Sequence, residues 1–299
     1  MYDIEDIIEA ESPVHAVELL QQYPQARIIA GGSDLLIKIR EGELAGCTLI
    51  SIQKIDELRG VHCNANGAIR IGALTSFSRL AADSLIQQHL PVLAEAVLTI
   101  GGPQLRNIGT IGGNVCNGVT SADSASTLLA FDAVMEYLGP NGIRLVPIAE
   151  HYVSAGKTAL AYNEIVQAIV ISAEHYERWY GHYIKYAMRN ALDIATLGCS
   201  ANLRLSADGK KIEKLRLAYG VAGPVPLRAL SAEQAAAGKP ANAGTAALAA
   251  KAALSDINPR TSWRASREFR VHLAEELAKR AIVESLQRAG EMALPEVML

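Results

Sequence analysis

"TIGGNVCNGVTSADSA", Thr110 to Ala125, is almost free of bulky side chains and carries one isolated carboxylate, Asp123. A second stretch, "RIIAGGSDLL" at Arg27–Leu36, has the same character and sits about eighty residues earlier. A glycine pair that follows a strand lets main-chain N–H groups approach an anion with no Cβ in the way. In the earlier stretch the apolar "ARII" reads as a short buried strand, Gly31-Gly32 as the break, and "SDLLIKIREG" as a short helix that Ser33 or Asp34 caps. In the later one, "GTIGGN" at Gly109–Asn114 offers a similar turn with the Thr110 hydroxyl as a donor. Two such loops have the right chemistry to hold the two phosphates of a dinucleotide between them. Each alone is no more than a tight turn.

The rest of the chain bounds this reading. Its 299 residues exceed one typical core, so two domains are expected. Half the residues are hydrophobic and 20% are charged, an ordinary globular composition. The 28 basic and 31 acidic residues are mixed along the chain and sum to −3, with no basic stripe for nucleic acid or an anionic membrane surface. The first residues, "MYDIEDIIEAESP", are acidic and lack the layout of a secretory signal. No window approaches the roughly 20 apolar residues of a membrane span. Cys47, Cys63, Cys116 and Cys199 are scattered without a C-x-x-C pair. They read as reduced thiols of a cytoplasmic protein, not as a cluster or disulfide framework.

Three motifs fail on inspection. "SAGKT" at Ser154–Thr158 ends like a phosphate loop, but His151 stands where that motif requires glycine. No G-x-G-x-x-G follows a strand, and the seven histidines show no metal-ligand spacing. Asp123 is readable as the N-cap of the helix "STLLAFDA" or as a site carboxylate, while Lys185, Arg106 and Arg189 read by default as solvated cations.

Strands and helices mix without regular alternation, which predicts an α+β architecture in both parts. "ESPVHAVELLQQYP" reads as a helix and "CTLISI" as a strand. "GVHCNANGAIRIGAL" and "VMEYLGPNGIRLVPI" read as hairpins, and residues 76–100 as helical with a break near Pro91. After the strand "EIVQAIVIS", the polar, aromatic residues 173–182 read as a linker. Two long extended stretches, "YIKYAMRNALDIATLGCSANLRL" and "KIEKLRLAYGVAGPVPLRA", come next. Alanine-rich helices and a long terminal helix end the chain. The expected domains are 1–174 and 175–299.

The motifs "AGGSDLL", "GGPQLRNIGTIGGNVCNGVTSADSA", "GKTAL" with "NEIV", and "KYAMRNALDIATLGCSA" occur in this order over about residues 26–225. In them the chain resembles the FAD-binding (medium) subunits of molybdenum hydroxylases, most nearly the separate flavin subunits of bacterial xanthine dehydrogenases. The resemblance implies a two-part FAD-binding domain of the vanillyl-alcohol-oxidase (PCMH) type. A smaller α+β domain of the carbon monoxide dehydrogenase flavoprotein type follows it. It implies non-covalent FAD, held by Ile28, Ile29, Ala30, Gly31, Gly32, Ser33, Asp34 and Leu35 in one loop. Gly109, Thr110, Ile111, Gly112, Gly113 and Asn114 form the other, with Asp123, Ile165 and Lys185 near the isoalloxazine. Ile100 falls where several relatives carry an aromatic residue over one ring face. The resemblance further implies a large partner with the molybdenum cofactor, a small partner with 2Fe–2S clusters, and NAD as electron acceptor. A self-sufficient flavin oxidase or reductase and a flavin-free scaffold are the competing expectations.

Overall fold

A computed structural model describes residues 2–290. Strands Ile4–Glu9, Cys47–Ser51 and Arg27–Ile29 form a parallel sheet in that spatial order. The helix Pro13–Gln22 begins at Ser12, whose hydroxyl accepts from the His15 amide, and places Pro13 in the first turn, where no N–H is needed. Ala16, Val17, Leu19 and Leu20 form its buried face and join Ile50, Ile52, Leu138 and Ile165 in one core cluster.

A five-stranded antiparallel sheet runs in the order Val61–Cys63, Ile69–Gly72, Ile165–Ile171, Val134–Gly139, Gly142–Pro147. Its central strand, "IVQAIVI", is β-branched and buried on both faces, as a strand with cover on each side should be. Helices Phe77–Ala82, Ser84–His89, Pro91–Leu98 and Asp123–Ala130 contribute to the largest core beside it. The expected break at Pro91 is present. A further break falls at Asp83, whose carboxylate accepts from the Leu85 and Ile86 amides and starts the next helix.

Beyond residue 172 a four-stranded antiparallel sheet runs Tyr180–Tyr186, Leu197–Leu205, Ile212–Gly220, Leu227–Arg228. Helices Leu230–Ala236, Ala243–Ala252 and Arg267–Arg288 supply Ala232, Ala236, Ala246, Ala249, Ala274 and Leu277 to its core. Tyr183 and Ala218 of the same sheet belong to the larger core instead, so the two sheets share packing. Residues 291–299 of the expected second domain lie outside the described residues.

Two expectations require correction. Residues 173–182 are not a free linker: Ala173–His175 is a 3-10 turn and a strand starts at Tyr180. The aromatic residues that looked like linker composition are anchors. Tyr176 is buried and donates to the Gly67 carbonyl at 2.6 Å, and the Trp179 ring lies 4.3 Å from the Arg216 guanidinium. The stretch from Tyr183 to Leu205 is not continuously extended either. Two strands flank a loop at residues 187–196, where Leu192 has φ +54° and Asp193 accepts from the Met188, Arg189 and Ile194 amides. Those side-chain to backbone bonds compete with a sheet ladder and win. Among the described residues no helix is long and apolar enough to cross a membrane.

Candidate functional site

A cleft of about 640 Å³ opens where the parallel sheet, the glycine turn at 109–113 and the loop at 187–196 converge. Ile28, Ala30, Gly31, Gly32, Ser33, Asp34 and Leu35 line one wall. Ile100, Gly109, Thr110, Gly112, Gly113, Asn114, Asp123 and Ile165 line the others. The expected residues therefore converge on one place, with three exceptions. Ile29 and Ile111 do not line the cleft: Ile29 packs beneath Gly32, and Ile111 is fully buried in the core. Lys185 stands behind Asp123.

The two glycine loops divide the work unequally. Among the described residues, the amides of Gly31, Gly32, Ser33 and Asp34 have no hydrogen-bond partner. Neither Ser33 nor Asp34 caps the helix Leu35–Arg40 with its side chain. Gly32 has φ +73°, a conformation that glycine adopts without strain. Four consecutive main-chain donors on a cleft wall match an anion that lies across them. The second loop differs from the expectation. All but one of its amides are already used: Gly109 donates to the Leu105 carbonyl, Ile111 to Thr75, Gly112 to Ala73, Asn114 to the Thr110 carbonyl and Gly113 to the Thr110 hydroxyl oxygen, which leaves the Thr110 amide. Its glycines serve close packing, since a Cβ on Gly112 would stand 2.6 Å from the Ala73 Cβ. The two loops also touch. A Cβ on Gly31 would come within 2.0 Å of the Ile108 carbonyl oxygen, so the first loop rests directly on the backbone leading into the second.

Asp123 is the first residue of the helix Asp123–Ala130, and its carboxylate does not cap that helix. One oxygen accepts from Tyr183 Oη at 2.8 Å and the other from Lys185 Nζ at 2.8 Å. Lys185 also donates to the Thr99 carbonyl at 3.0 Å, and both charged side chains are only 8% exposed. Burial pushes the Asp123 carboxyl above its ordinary range, while Lys185 and Tyr183 pull it back. The pair joins the helix Asp123–Ala130 to the four-stranded sheet at the cleft and leaves an oriented carboxylate in its wall. Cys116 also lines the cleft; burial pushes its thiol up to about 12 and keeps it protonated at neutral pH.

Several lining residues were not nominated from the sequence: Phe77, Leu105, Lys38, Asn117, Leu192 and Arg264. Leu192 stood inside a quoted motif, but the assumption of an extended strand hid the loop that brings it to the cleft. Arg264 lies far along the chain in "SWRAS", with no local pattern to mark it. Among the described residues no group of three histidine, cysteine, aspartate or glutamate side chains is placed to hold a metal.

Residues 3–173 match the FAD binding domain in molybdopterin dehydrogenase, and residues 182–285 the CO dehydrogenase flavoprotein C-terminal domain. This chain belongs to the FAD-binding subunits of the molybdenum hydroxylases. It is 42% identical to a xanthine dehydrogenase FAD-binding subunit of Escherichia coli O157:H7, over 97% of this chain and 99% of the relative. It is 32% identical to the carbon monoxide dehydrogenase medium chain of Hydrogenophaga pseudoflava, over 89% of this chain and 92% of that one. A solved carbon monoxide dehydrogenase from the same organism superposes with a TM-score of 0.91 at 31% identity, covering 96% of this chain and 99% of that chain. The fold is thus the two-part FAD-binding domain of the vanillyl-alcohol-oxidase type followed by the smaller α+β flavoprotein domain. FAD is the cofactor of the FAD-binding subunit; the molybdenum cofactor and iron–sulfur clusters of these enzymes belong to partner subunits. The unpartnered amides of Gly31 to Asp34 fit a pyrophosphate, and the cleft lies in the size range of cofactor sites.

Proposed function

We propose that this chain is the flavin subunit of a xanthine dehydrogenase-type enzyme, standing between 2Fe–2S clusters on a small partner and NAD as the acceptor. The large partner holds the molybdenum cofactor and oxidises the purine. The observation that carries the flavin assignment is the row of four bare amides in the cleft wall. The purine assignment is supported by the 42% identity over nearly the whole of both chains. FAD, when bound, supplies the conversion of single electrons into a hydride.

The chain's own residues position and enclose. Gly31 to Asp34 hold the pyrophosphate through main-chain donors. Asp123, fixed by Tyr183 and Lys185, presents its carboxylate to the polar edge of the ring system. Ile100 and Ile165 form apolar walls that exclude water from a ring face. A hydride transfer between two ring systems needs no protein acid or base, and none is asked of these residues. The division into an FAD-binding domain at 1–174 and a second domain at 175–299 is part of the proposal, as is a cytoplasmic location, which the four unpaired cysteines support.

Reassembly tests this reading. A complex of both partners without this chain should reduce an artificial dye with xanthine but not NAD, and adding the chain should restore NAD reduction. Purine-dependent NAD reduction by this chain alone would overturn the subunit assignment and favour a self-sufficient flavoenzyme.

A further inference from the structure

Three cations line the cleft: Lys38, Arg189 and Arg264. Lys38 donates to Asn117 Oδ1, and Arg189 lies 3.9 Å from Asp193 while donating to the Leu192 carbonyl. The Arg264 side chain has no acceptor among the described residues, and its Nε is fully buried without a partner. With Nε shielded by protein, the two terminal amino groups, which are neither buried nor bonded to any acceptor among the described residues, are the donors that a ligand oxygen can reach.

Four further features define what that ligand is. Arg264 comes from the second sheet's side of the cleft, on the loop that precedes the helix Arg267–Arg288. The bare amides of Gly31 to Asp34 belong to the other domain, so the FAD pyrophosphate already has its donors there. The loop carrying Arg264 is held firmly: Arg270, buried, donates to the Thr196 carbonyl, to the Arg260 carbonyl and to Ser262 Oγ, which ties residues 260–262 to the end of the 187–196 loop. Finally, the Arg264 guanidinium stacks 4.1 Å from the Trp263 ring centroid, and Trp263 is 78% exposed. A large indole left in solvent beside a cleft, with a cation over one face, is a platform for a planar base next to a phosphate site.

We propose that Arg264 and Trp263 form the subsite for the dinucleotide acceptor, Arg264 taking its pyrophosphate and Trp263 stacking on a base. This inference rests on the reading of NAD as acceptor and extends it to specific residues. A fork of N–H donors matches a pyrophosphate in two-point contact, which a glutamine at this position cannot reproduce with charge.

The test uses the full-length FAD-loaded chain under anaerobic conditions and follows loss of the oxidised-flavin absorbance. NADH donates a hydride and leaves as NAD; 1-benzyl-1,4-dihydronicotinamide donates the same hydride but carries no pyrophosphate and no adenine. Arg264→Gln should raise the apparent Kd for NADH about tenfold to a hundredfold, leave the limiting rate near wild type, and leave the benzyl compound's kinetics and the FAD content unchanged. Trp263→Ala should raise the Kd for NADH roughly fivefold or more. Equilibrium binding of ADP-ribose to the FAD-loaded chain, read by calorimetry, should weaken in parallel. Equal loss with both donors, or loss of FAD from Arg264→Gln, would overturn the proposal and make Arg264 part of the flavin site. Unchanged NADH kinetics in both variants would overturn it outright. If the benzyl compound reduces the wild type and NADH does not, the acceptor reading itself fails, and this inference with it.

Discussion

Replacing Gly31 by alanine should weaken FAD binding by about tenfold to a hundredfold, and the structure supplies the reason. Gly31 does not occupy the left-handed region, so its backbone conformation is open to any residue. Only space forbids a side chain. The added Cβ would lie 2.0 Å from the Ile108 carbonyl oxygen and 2.7 Å from its carbon. That falls short of ordinary contact by about 1.3 Å or more. The obstacle is backbone, not a flexible side chain, so the two loops must separate. Overpacking of this kind costs about 1–3 kcal/mol, which should lower Tm by several degrees. The same separation tilts the Gly31–Asp34 amides away from the pyrophosphate. One lost hydrogen bond to a charged group is worth about 1.5–3 kcal/mol, which gives the stated range. Titration of the apo-chain with FAD, followed by flavin fluorescence, reads the change. Gly42→Ala is the control: it strains a backbone at φ +88° but meets nothing within 4 Å, and it should leave FAD affinity unaltered. A Gly31→Ala chain with wild-type FAD affinity and Tm would refute the reasoning.

Asp123→Ala leaves Lys185 buried beside the Thr99 carbonyl without its counter-charge, and breaking such a pair should destabilise the fold by about 3–5 kcal/mol; chemical denaturation measures this, and Asp123→Ala with Lys185→Met should recover part of it. The chain should also prefer FAD to FMN, because FMN lacks the diphosphate that spans the bare amides; equal affinity for the two in a competition titration would count against the loop assignment. Glu95 gives a pH signature: burial raises its pKa, but hydrogen bonds from His182 and Arg288 outweigh this and hold it below the usual 4.5. A depressed carboxylate contributes stability above its unfolded pKa that is lost as pH falls through the folded value. The Tm gap between wild type and Glu95→Gln should therefore be full at pH 7 and narrow progressively as pH falls below about 4.5; a gap that does not narrow at all in acid would show that the contact is not ionic.

The local character of the two loops was legible because glycine pairs and small residues mark close backbone approach in any context. What each loop does with its amides was not. Whether Gly112 N–H faces a ligand or the Ala73 carbonyl depends on which strand lies behind it, and that strand is about forty residues away in the chain. The same limit hid the position of Lys185. Its local sequence reads as a solvated cation, and only the resemblance brings it near Asp123, with which it pairs. The 187–196 loop was missed because its apolar and polar residues imitate a strand, while Asp193 bonds to local amides decide otherwise. The 173–182 segment was misread because exposed-looking aromatics are equally suited to pin a connection onto a neighbouring hairpin turn, as Tyr176 does on Gly67. Arg264 had no local signal at all, since its significance lies in what it fails to contact.

The most direct measurement is amide hydrogen exchange at Gly31, Gly32, Ser33 and Asp34, resolved by ¹⁵N NMR with and without FAD. In the free chain these four N–H groups belong to cleft-lining residues and are unpaired, so they should exchange fast. The amides of Ile111, Gly112 and Gly113, already bonded within the protein, should be protected from the start. Saturating FAD should slow exchange and shift the resonances of the first group while leaving the second nearly unchanged. If FAD binds and the Gly31–Asp34 amides stay fast and unshifted, the pyrophosphate does not lie on this loop and the account of the site is wrong.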